Sequence, residues 1–281
     1  MKVYKTKSEL KCFLSTIKKA HRSIGFVPTM GALHQGHLSL IQKAKKKNDI
    51  TVVSIFVNPT QFDNKEDLVK YPKTTDQDIA LLEGVDCEVL FLPSVAEIYD
   101  SNIIADTFNF DGLEDQMEGK FRNGHFDGVG TVVKTLFEII EPDSAYFGKK
   151  DFQQLQIIKK MVEKYAIPVQ IQGCDIYRES DGLAMSSRNT RLSDEYRKAA
   201  PFIYQTLKKA KKKFGTKSAN EVTRWVKKKF KEHPLLILEY FTIASEKTLK
   251  TIEAKKESEK YRAFIAVFAG EIRLIDNIRL K

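Results

Sequence analysis

Two histidines three residues apart, with a glycine between them, stand in Val27-Pro28-Thr29-Met30-Gly31-Ala32-Leu33-His34-Gln35-Gly36-His37, just after a short apolar run. Residues i and i+3 share one face of a helix, so both imidazoles can point the same way while Gly36 lets a phosphate or a backbone come close. The start of a helix adds N–H groups and the positive end of its dipole, both of which favour an anion. Imidazole donors strengthen as charge grows on phosphorus, so the pattern suits the handling of nucleotide phosphates. The plainer reading is a helix start capped by a histidine pair.

Three further groups carry usable chemistry. In Gly148-Lys149-Lys150-Asp151-Phe152-Gln153-Gln154, Lys150 offers a point charge to phosphate oxygens and Asp151 an acceptor for a ribose hydroxyl. Gln154, one turn on, can hydrogen-bond an uncharged part of a substrate, although the same residues also fit an ordinary helix start. In Ser54-Ile55-Phe56-Val57-Asn58-Pro59-Thr60-Gln61-Phe62 a buried strand runs into a proline turn. The amides of Asn58 and Gln61 suit hydroxyl or carboxylate recognition, but Asn-Pro is equally a simple turn with Gln61 facing water. In Asp181-Gly182-Leu183-Ala184-Met185-Ser186-Ser187-Arg188-Asn189 two hydroxyls and a guanidinium make a mobile clamp for a triphosphate. The alternative there is a polar linker before a helix beginning near Ser193.

The elements that must hold these groups follow from periodicity. Apolar runs at 24–28, 50–57, 88–92, 144–147 and 169–173 predict five strands. Between them Leu38, Ile41 and Ala44, then Val132, Leu136, Ile139 and Ile140, then Leu155, Ile158, Met161 and Val162 repeat at helical spacing. This alternation predicts an α/β fold, a Rossmann-like doubly wound parallel five-stranded sheet with right-handed crossovers and ligands at the carboxyl ends of its strands. Past Tyr177, lysine-rich helices near 194–214 and 218–232 precede strands at 236–244, 261–269 and 272–275, the last two joined as a hairpin about Gly270-Glu271. The chain is thus expected to form a nucleotide-binding domain over 1–176 and a smaller α+β lid domain over 177–281 carrying the Met185-Ser186-Ser187-Arg188 clamp.

The net charge of +10 is unevenly placed: residues 1–176 hold 22 Lys and Arg against 24 Asp and Glu, and 177–281 hold 25 against 13. The lysines interleave with Leu207, Phe214, Trp225, Val226 and Phe230, as solvated helix faces do. A basic second domain would also attract an anionic substrate, or bind nucleic acid without specificity. The 3 cysteines, Cys12, Cys87 and Cys174, are too few for a disulfide framework or a zinc ribbon. Cys87 and Cys174 read as small core residues in a reducing compartment. With no signal-peptide pattern and no apolar stretch near the length of a membrane span, the expected location is the cytoplasm.

Taken in order, these blocks resemble the nucleotidylyl transferases related to class I aminoacyl-tRNA synthetases. More closely they resemble the pantothenate synthetase family, the pantoate–beta-alanine ligases. The resemblance rests on Pro28-Thr29-Met30-Gly31-Ala32-Leu33-His34-x-Gly36-His37, Phe56-Val57-Asn58-Pro59-x-Gln61-Phe62, Tyr71-Pro72, Phe147-Gly148-x-Lys150-Asp151 and 181–189, and covers nearly the whole chain. It implies an ATP-dependent ligation in which pantoate is adenylated, releasing pyrophosphate, and beta-alanine then displaces AMP. Carried over by motif, ATP binding falls to Met30, Gly31, Ala32, Leu33, His34, Gln35, Gly36 and His37, to Gly148, Lys149, Lys150 and Asp151, and to Tyr177, Met185, Ser186, Ser187 and Arg188.

Pantoate would meet Met30, Gln61 and Gln154, and beta-alanine Gln61, so the first domain binds pantoate as well as nucleotide. His37, His34, Lys150 and Arg188 are the expected catalytic residues. The family's role for His37 is proton donor, and physically a hydrogen-bond donor to the departing pyrophosphate suits it best. The resemblance further implies Mg2+ with ATP and a homodimer, with small molecules as the only other partners and neither nucleic acid nor membrane. Asp76-Gln77-Asp78 gives no firm protein ligand for the metal. Tyr177 stands where related enzymes often have a small aliphatic residue. Two competing readings are a transferase coupling ATP or CTP to a phosphorylated alcohol, which the amides Gln61 and Gln154 disfavour, and a non-catalytic RNA-binding module.

Overall fold

The computed structural model describes residues 1–62, 65–69, 71–99, 102–252 and 254–280. The chain forms two compact units, one of residues 1–149 and 154–175, the other of 150–153 and 176–281.

The first unit is built on a parallel six-stranded sheet: β1 (Lys2–Tyr4), β2 (Ile24–Thr29), β3 (Ile50–Ile55), β4 (Val89–Phe91), β5 (Ser144–Gly148) and β6 (Gln170–Cys174), in the order β1-β4-β3-β2-β5-β6. The expectation of five strands is corrected to six. The extra strand, β1, is three residues long at the sheet edge, largely exposed, and too short to show a period. β3 is buried along its whole length, as a central parallel strand must be. One face packs Val27, Val53 and Leu90 against Leu38, Ile41 and Ala44 of the Gln35–Lys45 helix, with Cys87 and Cys174 in the same core. Burial pushes the Cys87 thiol up to about 11, which keeps it protonated and inert.

From β2 the chain adds β3 and β4 on one side, then returns to place β5 on the other. The strand order therefore reverses at β2, and the loops after β2 and β5 leave the sheet side by side at its ligand-binding end. The His125–Ile140 helix closes tightly on the turn after β3, made possible by Gly128. A Cβ there would lie 2.4 Å from the Thr60 carbonyl oxygen and 2.7 Å from the Gln61 nitrogen. Gly128→Ala is accordingly expected to destabilise folding by about 1–3 kcal/mol, read as a lower urea midpoint.

The second unit carries an antiparallel sheet of β7 (Leu236–Ser245), β8 (Tyr261–Ala269) and β9 (Ile272–Arg279). β8 and β9 form the expected hairpin, with Ala269 opposite Ile272 and Gly270 at φ +61°. The single helix expected over 194–214 is two, Asp194–Ala199 and Phe202–Phe214. Pro201 stands between them, because it lacks the N–H and crowds the preceding turn. With Ala219–Lys231, these helices bury Ile203, Leu207, Val222, Val226 and Phe230 against Ile243, Ile265 and Leu274. Their lysines lie on the exposed side, as the solvated-face reading requires.

Candidate active site

The loop after β2 makes an abrupt reversal. Gly31 has φ +80° and Ala32 φ +49°, two successive left-handed residues of which only the first is a glycine. Asp78 holds this conformation. Its carboxylate is 2% exposed and accepts the Ala32 N–H at 2.9 Å and the Leu33 N–H at 2.7 Å, with the Thr74 hydroxyl donating at 3.2 Å. Thr29 Oγ1 accepts the Gly31 N–H at 3.2 Å. The loop therefore gives three backbone donors to the protein itself, and the anion-binding capacity read from sequence must reside in side chains and the helix beyond.

That helix, Gln35–Lys45, begins at His34, an extended N-cap residue whose Nδ1 accepts the Gly36 N–H at 3.1 Å. An accepting Nδ1 places the proton of the neutral ring on Nε2. The His34 and His37 rings stack with centroids 4.0 Å apart and planes 28° from parallel, so the two imidazoles stand together as the spacing predicts. The alternatives in the sequence thus combine: His34 is a cap and, through Nε2, a donor as well.

Beside them the turn Pro59–Gln61 presents a buried amide pair, Asn58 at 1% and Gln61 at 9% exposure, so Gln61 does not face water. The Gly128 carbonyl, 3.0 Å from Asn58 Nδ2, fixes which way the Asn58 amide points. Asn58 Nδ2 then donates to Gln61 Oε1 at 3.2 Å, and the Gln61 NH2 is left facing Met30, with Nε2 2.8 Å from Sδ. A substrate meeting Gln61 there meets donors, which suits a carboxylate or a hydroxyl oxygen. The Tyr99 hydroxyl donates to Asn58 Oδ1 at 2.5 Å, and Thr60 Oγ1 donates to it at 3.1 Å. Burial raises the Tyr99 phenol above its usual range, so it stays a donor through neutral pH. His125 Nδ1, 2.9 Å from the Gln61 carbonyl oxygen, must donate to it, so Nε2 accepts from Arg122 Nη1 at 3.0 Å.

Tyr99→Phe removes a donor from a buried acceptor and is expected to cost about 1–3 kcal/mol of stability. A lower urea midpoint for the variant is the measurement that checks it.

After β5, Gly148 and Lys149 stay with the first unit, where Lys149 Nζ pairs with Asp175 at 2.6 Å, and the half-buried Gln154 belongs there too. Lys150 and Asp151 belong to the second unit. There the residues around 181–189 are no loose linker. Arg178 bridges Ala184, Met185 N–H donates to the Tyr177 carbonyl at 3.0 Å, and Asn189 donates to Glu179 at 2.8 Å. Ser186 caps the short turn Ser187–Arg191, accepting the Arg188 N–H at 3.3 Å. Tyr177 is 42% exposed. Asp78 and Tyr99 are supporting residues that motif reading left out, and Asn58, read there as a recognition amide, instead braces Gln61. For Asp78 a signal existed: it lies on the apolar face of the Thr75–Glu83 helix with Leu82 four residues on, an inward position where an acid needs partners.

A parallel α/β sheet with a histidine-bearing loop at its reversal point and a buried amide pair on the turn after the neighbouring strand is the architecture of the nucleotide-binding α/β class. The chain belongs to the pantoate-beta-alanine ligase family, whose match runs over residues 2–279. A pantothenate synthetase of Flavobacterium psychrophilum is 54% identical over 282 residues, covering 100% of both chains. That of Christiangramia forsetii is 55% identical over 281 residues, covering 100% of this chain and 99% of its own. Among solved structures, pantothenate synthetase from Thermus thermophilus superposes with a TM-score of 0.92 at 38% identity, covering 100% of this chain and 99% of the other. The pantoate-beta-alanine ligase of Francisella tularensis, solved with beta-gamma ATP and beta-alanine, gives 0.82 at 36% identity, covering 100% and 98%.

Proposed function

We propose that this chain is an ATP-dependent ligase that joins pantoate to beta-alanine, giving pantothenate, AMP and pyrophosphate through pantoyl adenylate. The observation that supports this reading is the stacked His34–His37 pair on the loop after β2, together with a Gln61 amide whose NH2 is turned onto Met30 of that same loop, in a chain matched to its family from end to end. A pantoate carboxylate oxygen attacks the α-phosphorus and the bond to pyrophosphate breaks. The amine of beta-alanine then attacks the acyl carbon, AMP leaves with the bridging oxygen, and the amine gives up a proton. A carboxylate becomes an acylating agent only after this exchange of leaving group.

In this reading His37 and His34 donate to phosphate oxygens as charge develops, with Lys150 and Arg188 adding fixed positive charge. Met30–Leu33, Gln35, Gly36, Gly148, Lys149, Asp151, Tyr177 and Met185–Ser187 complete ATP binding. Gln61 orients pantoate and then beta-alanine, Met30 and Gln154 meet pantoate, and this positioning against a water-sensitive anhydride is the protein's main task. Mg2+ bound to the triphosphate supplies charge neutralisation. Among the described residues no three His, Cys, Asp or Glu side chains gather as a cage. We place the enzyme in the cytoplasm as a homodimer, with sedimentation as the check on assembly. No described helix is long and apolar enough to cross a membrane.

The test is to incubate the purified chain with ATP, Mg2+, D-pantoate and beta-alanine, omit each in turn, and identify products by mass. With all four present, pantothenate, AMP and pyrophosphate should form in equal amounts, and without beta-alanine only about one pyrophosphate per site should be released, with neither AMP nor pantothenate. ADP as the nucleotide product, or turnover that ignores beta-alanine, would contradict the assignment.

A further inference from the structure

The second unit holds Lys150 by its backbone. Asn277 of β9, 2% exposed, donates from Nδ2 to the Lys150 carbonyl at 2.8 Å, across 127 residues of sequence. The direction of this amide is not free to reverse. Its Oδ1 takes a bond of 2.5 Å from Nη1 of Arg262, a group that can only donate. Arg262 is itself 6% exposed, paired with Glu246 through Nε at 2.9 Å and Nη2 at 2.8 Å, and stacked over the Phe152 ring at 4.1 Å. The residue before Asn277 does a parallel job: Asp276 receives both Nη atoms of Arg178 at 2.7 and 2.9 Å. Arg178 in turn donates to the Gly182 carbonyl at 3.1 Å, within the hairpin that leads to Met185 and Arg188.

We infer that Asn277 is a positioning residue of the adenylation step, fixing the turn that carries Lys150, while its neighbour Asp276 fixes the hairpin before the serine–arginine clamp. Two adjacent residues on the last strand thereby hold two separate segments of the chain, at Lys150 and at Arg178. The inference rests on the reading above that Lys150 acts on the phosphates. Glu246 already neutralises Arg262, so an acid at 277 would bring an excess charge as well as lose the donor.

Asn277→Asp tests it, since the side chain keeps its shape and its acceptor toward Arg262 but turns a second oxygen on the Lys150 carbonyl. Pyrophosphate release from ATP and pantoate should slow by about 10- to 100-fold, with the KM for beta-alanine unchanged. A merely structural role would not give the second readout, a cycle with Lys150→Ala. If Asn277 acts through Lys150, adding Asn277→Asp to Lys150→Ala slows the enzyme by less than about twofold. If the two losses multiply, or if Asn277→Asp runs at the wild-type rate, the inference is wrong. Should Asn277→Asp lose its near-ultraviolet circular dichroism, Asn277→Ser, too short to reach the carbonyl, goes through the same cycle under the same criteria. A wild-type rate for Lys150→Ala alone marks instead the failure of the underlying site assignment.

Discussion

Replacing His37 by alanine should lower pyrophosphate release from ATP and pantoate by on the order of 10²–10³ while leaving the fold intact. His37 lies in the first turn of the Gln35–Lys45 helix, partly exposed, with its ring stacked 4.0 Å from that of His34. On the proposed function its removal takes away a donor to the phosphates, and it leaves the sheet core untouched. His34→Ala should differ in kind, because His34 Nδ1 also accepts the Gly36 N–H as the helix cap. That variant should lose about 1 kcal/mol of stability in addition to activity. Stopped-flow pyrophosphate detection with urea titration of both variants separates the two effects. A His37→Ala enzyme at the wild-type rate would remove the histidine pair from the chemistry.

The second large effect is expected at a residue that touches no substrate. Asp78→Asn is isosteric, yet it exchanges one of the two oxygens that receive the Ala32 and Leu33 N–H groups for an NH2 that must face a donor. Gly31 and Ala32 hold left-handed backbone at φ +80° and +49°, and without both bonds Ala32 has little reason to stay there. The loss should be about 1.5–3 kcal/mol of stability, with adenylation down by on the order of 10²-fold because the histidine loop shifts. Denaturant titration and single-turnover pyrophosphate release read the two quantities. Wild-type turnover in a folded Asp78→Asn enzyme would show that the loop keeps its shape by other means.

What could be read from residues alone divides along physical lines. The strands β2 to β6 were legible because continuous apolar runs bounded by Gly, Pro and Asp leave few alternatives, and the Gly270-Glu271 hairpin because its turn chemistry is local. β1 was not, since Lys2-Val3-Tyr4 owes its strand conformation to pairing with β4, a contact 87 residues away in register. The break at Pro201 was present in the sequence but masked by a helical pattern that continues on both sides of it. At the candidate site, the reactive side chains lay in compact motifs, whereas their supports did not. Asp78, Tyr99 and Asn277 act on residues 45, 41 and 127 positions away, through hydrogen bonds across the fold, and of the three only the inward-facing acid at 78 left a trace in a helical period.

The attachment of residues 150–153 to the second unit was hidden for the same reason. Phe152 lies under Arg262 and 5.9 Å from Phe264, and Lys150 is tied to Asn277, all of them residues late in the chain.

The central claim is that an oxygen of the acid becomes the oxygen of departing AMP. It is tested most directly by supplying D-pantoate labelled with oxygen-18 in both carboxylate positions, together with ATP, Mg2+ and beta-alanine, and weighing the products. AMP should gain one heavy oxygen and pantothenate should keep one in its new amide. AMP without label would contradict the adenylate route and the roles assigned to the residues around it.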